Sequence, residues 1–292
     1  MTSILTNTSA MSALSTLRDI NSNLANTQDR VSSGYRVGEA ADNVAYWSIS
    51  TTMNSDNKAL NAASDALGVG AAKVDTAYSA IESSIDVVNE IKAKLVTASE
   101  SSTDRDQIQL EITKLQEQLS AIGQAASFSG ENWVVAGDQT QGQVVDGFIR
   151  DASGGVSITL ASYDIETYAM FSEIQADGSG TGGILGDVMT ISLTSNMTQG
   201  EIDSYMTTVE TALSSLTDAG AALGALTTRI DLQDDYASKL SDAIESGVSR
   251  LVDADMEEES AKLSALQTQQ QLAVQSLSIA NSSSQNILSL FQ

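Results

Sequence analysis

Histidine, cysteine and proline are all absent from this chain of 292 residues. Without histidine or cysteine there can be no Ser-His-Asp triad, no Cys-His pair, no HExxH zinc helix, no disulfide framework and no thiol chemistry. Without proline, helices can run long without a built-in break, and folding has no slow prolyl step. Bases are scarce as well, 14 Lys and Arg against 38 Asp and Glu, for a net charge of -24. Arg150 is the only base between Leu115 and Thr228, so the acidic middle faces water and repels nucleic acid and anionic lipid. That concentration of charge places the middle of the chain outermost.

The two ends lack charge of either sign. Met1 to Leu17 and Leu263 to Gln292 contain no Asp, Glu, Lys or Arg. Gln267, Gln269, Gln270, Gln271, Asn281 and the serines that follow interrupt every apolar run of the C-terminal stretch, so it does not read as a bilayer span. The N-terminal stretch has no basic start, continuous apolar core or small-residue cleavage site, and is not a usual secretory signal. No cofactor or metal is implied elsewhere. DGSGTGGILGD, from Asp177, has no following Lys-Ser or Lys-Thr and reads as a surface turn rather than a phosphate loop. In DADMEEE, from Asp253, successive carboxylates point in different directions, which suits a helix start better than a metal site. Catalysis is not indicated.

What is present is helical periodicity, with apolar residues at alternating steps of three and four. One seam runs Ile202, Tyr205, Val209, Ala212, Leu216, Ala219, Leu223, Leu226, Ile230, Gln233, Ala237, Leu240, Ile244, Gly247, Leu251, with Thr198 and Glu201 spaced as a capping box. At 1.5 Å per residue this is a helix of roughly 75 Å. A second seam of similar length runs from Tyr46 through Leu60, Leu67, Val74, Ile81, Val88 and Leu95 to Ala98. After a break at SESST, with Thr103 and Asp106 spaced for a cap, Ile108, Ile112, Leu115, Leu119 and Ile122 share one face of a third helix, which should fold back antiparallel on the second. Between Phe128 and Asn196 the period changes. Phe148–Arg150 and Val156–Leu160 read as hairpin strands and ISLTSN, from Ile191, as a further short strand.

Both ends are helical by the same criterion, with weaker seams. Leu14, Leu17, Leu24, Val31 and Tyr35 form one, interrupted by Asn21 and Gln28 and ending at Gly34. Leu263, Leu266, Gln270, Ala273, Leu277, Ala280, Ser284, Ile287 and Phe291 form the other, capped by Asp255 and Glu258. Helices of this kind are marginal alone, because nucleation is costly and packing supplies most helical stability. The ends are therefore expected to order only against a partner. The fold class read from the pattern is mainly α with a smaller β region: a long helical coiled-coil bundle built from the N- and C-terminal segments, with β-hairpins in the centre.

Specific residues then meet this architecture. LANTQDRVSSGYRVGEAADNVAYWSIS, from Leu24 to Ser50, closely resembles the N-terminal signature of bacterial flagellins. LVDADMEEESAKLSALQTQQQLAVQSLSIANSSSQNILSLF resembles their C-terminal signature, and DRDQIQLEIT and SFSGENW resemble the family's interior. The SILTN opening and DNVAYWSIS are similar to flagellins of soil-dwelling alphaproteobacteria. The resemblance covers about residues 1–135 and 200–292. It implies a structural subunit of the extracellular flagellar filament, exported unfolded through the flagellar type III apparatus. A hook-filament junction protein, which shares flagellin-like ends, is the alternative.

The resemblance also implies an organisation and a set of contacts. Residues 1–42 and 253–292 would form the inner, channel-lining helical domain, 43–127 and 198–252 the helices of a second shell, and 128–197 the hairpin and outer region. Ser32, Ser33 and Gly34 fall where the family ends its first helix, with Gly34 suited to a left-handed cap. Arg30, Arg36, Asp42 and Asn43 occupy the spoke between shells, serving either subunit contacts or local capping. Leu14, Leu17, Leu24, Leu263, Leu266 and Leu277 belong to the pairing faces, and Ile287, Leu288, Leu290 and Phe291 to a terminal cluster that needs burial in a polymer. Gln271 and Ser282 are candidates to line the channel, where neutral polar groups stay wet without gripping a passing chain. The implied partners are other copies of the chain, related flagellins, hook-filament junction and cap proteins, and the export apparatus with its chaperone.

Overall fold

A computed structural model describes residues 7–100, 103–151 and 155–289, with side chains as far as Ser282. The elements in order are α1 (Thr8–Ser33), α2 (Val44–Ser99), α3 (Arg105–Ala125), β1 (Ser127–Phe128), β2 (Glu131–Asn132), β3 (Gln141–Arg150), β4 (Val156–Asp164), α4 (Ile165–Tyr168), β5 (Glu173–Ile174), β6 (Gly180–Thr181), α5 (Gly186–Met189), α6 (Gln199–Val252) and α7 (Met256–Ser289). Long helices dominate and three small antiparallel pairs occupy the centre, the class expected from the periodicity. The chain divides into two compact units, Met1–Asn57 with Asp242–Gln292, and Lys58–Ser241. These divisions fall inside α2 and α6, whereas the family pattern puts the shell boundaries near residues 42 and 252.

The larger unit, Lys58–Ser241, is built on the seams. Val74, Ile81, Val88, Ile91 and Leu95 of α2, Ile112 and Leu119 of α3, and Val209, Leu216, Leu223 and Ile230 of α6 are buried in one apolar cluster. Lys94 of α2 pairs with Glu111 of α3 at 2.7 Å, and the two stand nearly equidistant from the turn between them, which makes the helices antiparallel. The Glu111 carboxylate holds the Lys94 ammonium above its ordinary range, through the hydrogen bond first and the charge second. Arg105 closes the turn by donating from Nε to the Ala98 carbonyl at 3.1 Å and from a terminal nitrogen to the Met197 carbonyl at 2.6 Å. A guanidinium thus satisfies a carbonyl that the end of α2 leaves open and ties it to the segment before α6.

Two sequence expectations change here. The cap of α3 is Asp104, whose carboxylate accepts from the amides of Asp106 and Gln107. Thr103 cannot fill that role because its hydroxyl donates to the carbonyls of Thr97 and Glu100. ISLTSN is not a strand. Gln109 Oε1 accepts the Leu193 amide at 2.6 Å, and Gln116 Nε2 reaches the carbonyls of Val188, Met189 and Ile191. Two glutamines seven residues apart on α3 take the place of a neighbouring strand and satisfy the buried backbone of this segment.

The main hairpin exceeds its predicted length, pairing Gln141–Arg150 with Val156–Asp164 and keeping Phe148 opposite Ile158. A register shift between Val145 and Gly147 marks a bulge at Asp146. The bulge points Asp146 inward, where Arg229 of α6 holds it in a bidentate pair at 2.9 and 2.5 Å. Beside it, Gly142 lets the strand lie on the Trp133 ring, since a Cβ there would sit 2.5 Å from the indole. The Gly-rich stretch after Asp177 is more than a surface turn, because Gly180 is buried under Phe171 and a Cβ would come within 2.4 Å of that ring.

Candidate assembly surface

The smaller unit brings the two ends of the chain together. Asn7 caps α1 by accepting the Ala10 amide at 3.0 Å, and its amide nitrogen donates to the Ala280 carbonyl at 3.0 Å. Gln270 donates to Asn21 at 2.7 Å, Arg30 pairs with Glu259 at 3.3 Å, and Tyr35 bridges antiparallel to Asp253. As the residue number rises along α1 it falls along α7 by nearly the same amount. The helices are therefore antiparallel, and polar cross-links spaced along the pair fix their register.

The face that α1 presents is not the one the leucines suggested. The interface positions are Ala10, Ala13, Leu17, Ile20, Leu24, Thr27 and Val31, with Thr27 buried, whereas Leu14, Asn21, Gln28 and Tyr35 are exposed. Leu17, Leu24 and Val31 belong to both readings, but the other positions move by one residue. Helical periodicity leaves a choice of neighbouring faces. Large residues on the solvent side of α1 pulled the sequence reading onto the wrong one. On α7 the predicted seam stands as far as the side chains are described. Leu266 and Ala273 are buried and Leu263, Gln270, Leu277 and Ala280 half-buried. Ile287 and Leu288 lie within α7 beyond the described side chains, and Leu290 and Phe291 lie outside the described residues.

The turn between α1 and α2 is tightly bonded. Gly34 takes the left-handed conformation, φ 76°, and its amide returns to the Arg30 carbonyl at 2.8 Å. A Cβ at that φ would be strained, so the glycine ends the helix. Ser33 Oγ accepts the Tyr35 amide, while Ser32 is exposed. The Gly34 carbonyl accepts from Ala254, the amides of Arg36 and Val37 both reach the Val252 carbonyl, and the Arg36 guanidinium donates to the Leu251 carbonyl. Asp42 accepts from the amides of Gly38 and Glu39, and Asn43 accepts from Tyr46 to cap α2. Within one chain, Arg36, Asp42 and Asn43 thus organise this turn and the adjoining helix ends.

Glu259 is the feature that sequence reasoning missed. Its side chain is only 9% exposed, one oxygen accepts from Arg30, and the other has no partner among the described residues. The one available signal was its place four residues before Leu263 on the α7 seam. Also missed was the apolar surface outside the seam. Met11, Leu14, Leu272, Val274 and Ile279 are all exposed. The register puts Leu14 level with Val274, each one residue past an interface position, which in an antiparallel pair places both on one side. Leu272 and Ile279 each precede an interface position and so lie on the opposite side. Thr268, Gln275 and Ser282, seven residues apart, fall on the back of α7, with Gln271 close to that line. All four are exposed.

Large apolar residues exposed on both flanks of the α1–α7 pair are the kind of surface that marks protein–protein contact. Among the described residues no three His, Cys, Asp or Glu side chains gather to hold a metal ion, and no helix is long and apolar enough to cross a membrane. Residues 4–140 match the family pattern described as the bacterial flagellin N-terminal helical region, and residues 206–291 the bacterial flagellin C-terminal helical region. Flagellin C of Rhizobium meliloti (strain 1021) is 48% identical over 320 aligned positions, flagellin A of the same strain 44% over 394, and a flagellin of Brucella melitensis biotype 1 is 46% over 295. Each alignment covers all of both chains. The chain belongs to the bacterial flagellin family. It is a structural subunit of the extracellular flagellar filament, not an enzyme, and it polymerises with other flagellin copies.

Proposed function

We propose that the α1–α7 pair and the turn at residues 34–43 are the surfaces through which subunits pack in the filament core. The observation that carries this reading is the exposure of large apolar side chains on both flanks of so thin a unit. Leu14 and Val274 would meet one neighbour, Leu272 and Ile279 another, and the terminal cluster of Ile287, Leu288, Leu290 and Phe291 would be covered in the same packing. The shells would follow the division given by the resemblance, residues 1–42 with 253–292 inside, 43–127 with 198–252 around them, and 128–197 as the hairpin and outer region.

The chain is exported unfolded with the help of a chaperone, travels the filament channel, and folds its ends at the tip between the cap and the subunits already placed. Hook-filament junction proteins would receive the first subunits by the same helical contacts. Fixing each residue costs about 1 to 2 kcal/mol, and apolar burial returns about 25 cal/mol per Å², so a lone pair of helices is marginal and a surrounded one is stable. The uncharged back of α7, with Gln271 and Ser282, faces the channel. A fixed charge repeated around a narrow bore acts on every passing residue of the same or opposite sign. Changing Gln271 or Ser282 to Lys should therefore shorten filaments in swimming cells without lowering the amount of chain synthesised. Filaments of normal length in both variants would remove the channel assignment.

A further inference from the structure

The smaller unit also contains a cleft of about 460 Å³ between the 34–43 turn, the start of α2 and the end of α6. Its walls mix aromatic and aliphatic side chains, Tyr35, Trp47, Val248 and Val252, with serine, threonine and asparagine side chains, and Glu245 and Asp253 bring two carboxylates to it. The rings are open to an incoming group, Trp47 being 39% exposed and Tyr35 50%. Glu245 accepts from Asn57 at 3.0 Å and Asp253 from Ser249 at 2.6 Å, and both carboxylates remain exposed. Aromatic faces beside carboxylates suit a guanidinium, which stacks flat on a ring while its edge donates to oxygen, better than the compact ammonium of lysine.

The chain itself supplies a matching group. Met11, Leu14 and Arg18 stand at i, i+3 and i+7 on α1, a single exposed stripe. Arg18 makes no hydrogen bond or ion pair among the described residues. In a protein of net charge -24 an arginine without a partner among the described residues, beside two exposed apolar side chains, is a specific feature. It cannot enter the cleft of its own chain, because Arg18 lies about 20 Å along α1 from the turn that forms one wall. Lys262, also exposed, carries an ammonium, which suits these rings less well than a guanidinium.

We propose that the cleft receives the Met11–Leu14–Arg18 stripe of a second copy of the chain, with Arg18 on Trp47 beside Asp253, and the apolar pair against Tyr35 and the valines. This rests on the filament reading and names one contact within it. The contact joins the first helix of one subunit to the turn region of another, so it links neighbours through surfaces of different kind. A heterologous contact whose rotation does not close into a ring propagates as an open helical polymer.

The test uses the absence of cysteine. Arg18→Cys, labelled with a photoactivatable cross-linker, is mixed at about one part in ten into unsubstituted chain, which is then polymerised, irradiated and mapped by mass spectrometry. Cross-links to residues 35–54 or 245–253 are expected in filaments and not in monomers. Cross-links confined to other regions, or labelled chains that enter filaments without linking there, would overturn the docking. Failure of the unsubstituted chain to form filaments would instead count against the filament reading. A charge exchange gives an independent measure. Arg18→Glu should raise the critical concentration for polymerisation at least tenfold, and adding Asp253→Arg in the same chain should recover most of that loss. Losses that simply add would reject the pairing.

Discussion

At the scale of single residues, two buried polar groups carry unequal meaning. Glu259 is held by Arg30, and removing that partner would leave a carboxylate in the α1–α7 interface with nothing to offset its desolvation. A polar device at that point fixes the pairing of two helices whose apolar seams are thin. Tyr163 is different. It is stacked between Trp133 and Tyr168 with ring centroids 5.9 and 5.6 Å away, and its hydroxyl has no partner among the described residues. Burial pushes its phenol well above the ordinary tyrosine range, with lesser contributions from Tyr168 and Asp164. An unsatisfied hydroxyl costs free energy while the ring stacking does not depend on it. Tyr163→Phe should accordingly be neutral or more stable by up to about 1 kcal/mol in urea unfolding. A clear loss of stability would mean that the hydroxyl has a partner.

At the scale of elements, legibility follows the strength of the pattern. The seams of α2 and α6 were readable because long apolar repeats leave one consistent face, and most residues of those seams in the larger unit are buried there. The α1 face was misread because Leu14 and Tyr35 occupy one side and Ala13, Ile20 and Thr27 the other, and size alone favours the wrong one. The Ile191 segment was misread for a different reason. β-propensity describes a side chain's fit to a sheet surface, whereas the partners of this backbone are glutamines from α3, more than seventy residues earlier in the chain. The Asp146 bulge and the cleft beside Trp47 depend on contacts between distant segments, which no local pattern records.

Two element-level predictions follow from this geometry. The Thr198 amide donates to Glu201 at 2.7 Å and the Thr198 hydroxyl at 2.9 Å, and these bonds, the amide first, hold the Glu201 carboxyl below its ordinary range. A carboxyl lowered on folding contributes stability above its unfolded pKa of about 4.3 and loses it as the pH falls through the folded value. Glu201→Gln should therefore melt below the parent at pH 7, by a gap that narrows as the pH falls into the acid range, and a gap that does not narrow with acidification would contradict the capping account. On α7, Ile279 is 69% exposed and contributes little to the chain that carries it. Ile279→Lys should leave monomer melting unchanged but raise the critical concentration for polymerisation about tenfold or more, equivalent to at least about 1.4 kcal/mol per contact. Equal polymerisation of variant and parent would show that this flank is not covered in the filament.

At the scale of the whole molecule, stability is distributed unevenly between the units. The larger unit has a continuous core from three helices and the hairpin region. In α1, by contrast, Thr27 alone of 26 residues is buried. The chain thus keeps a folded body and two ends whose own pairing removes little surface from water. That division suits the proposed route, in which the subunit would pass unfolded through the channel and commit its ends on arrival, since local opening is cheap where few apolar contacts are buried. Missing charge at both ends and missing proline throughout belong to the same design, with neutral surfaces for close packing and uninterrupted helices to carry them.

Amide hydrogen exchange on purified monomers and on filaments of the same protein reads this division directly. The account predicts that α1 and the described length of α7 exchange fast in the monomer and become strongly protected in the filament, while the α2 and α6 residues of the larger unit are protected in both. Full protection of α1 and α7 already in the monomer would contradict the claim that polymerisation supplies their stability.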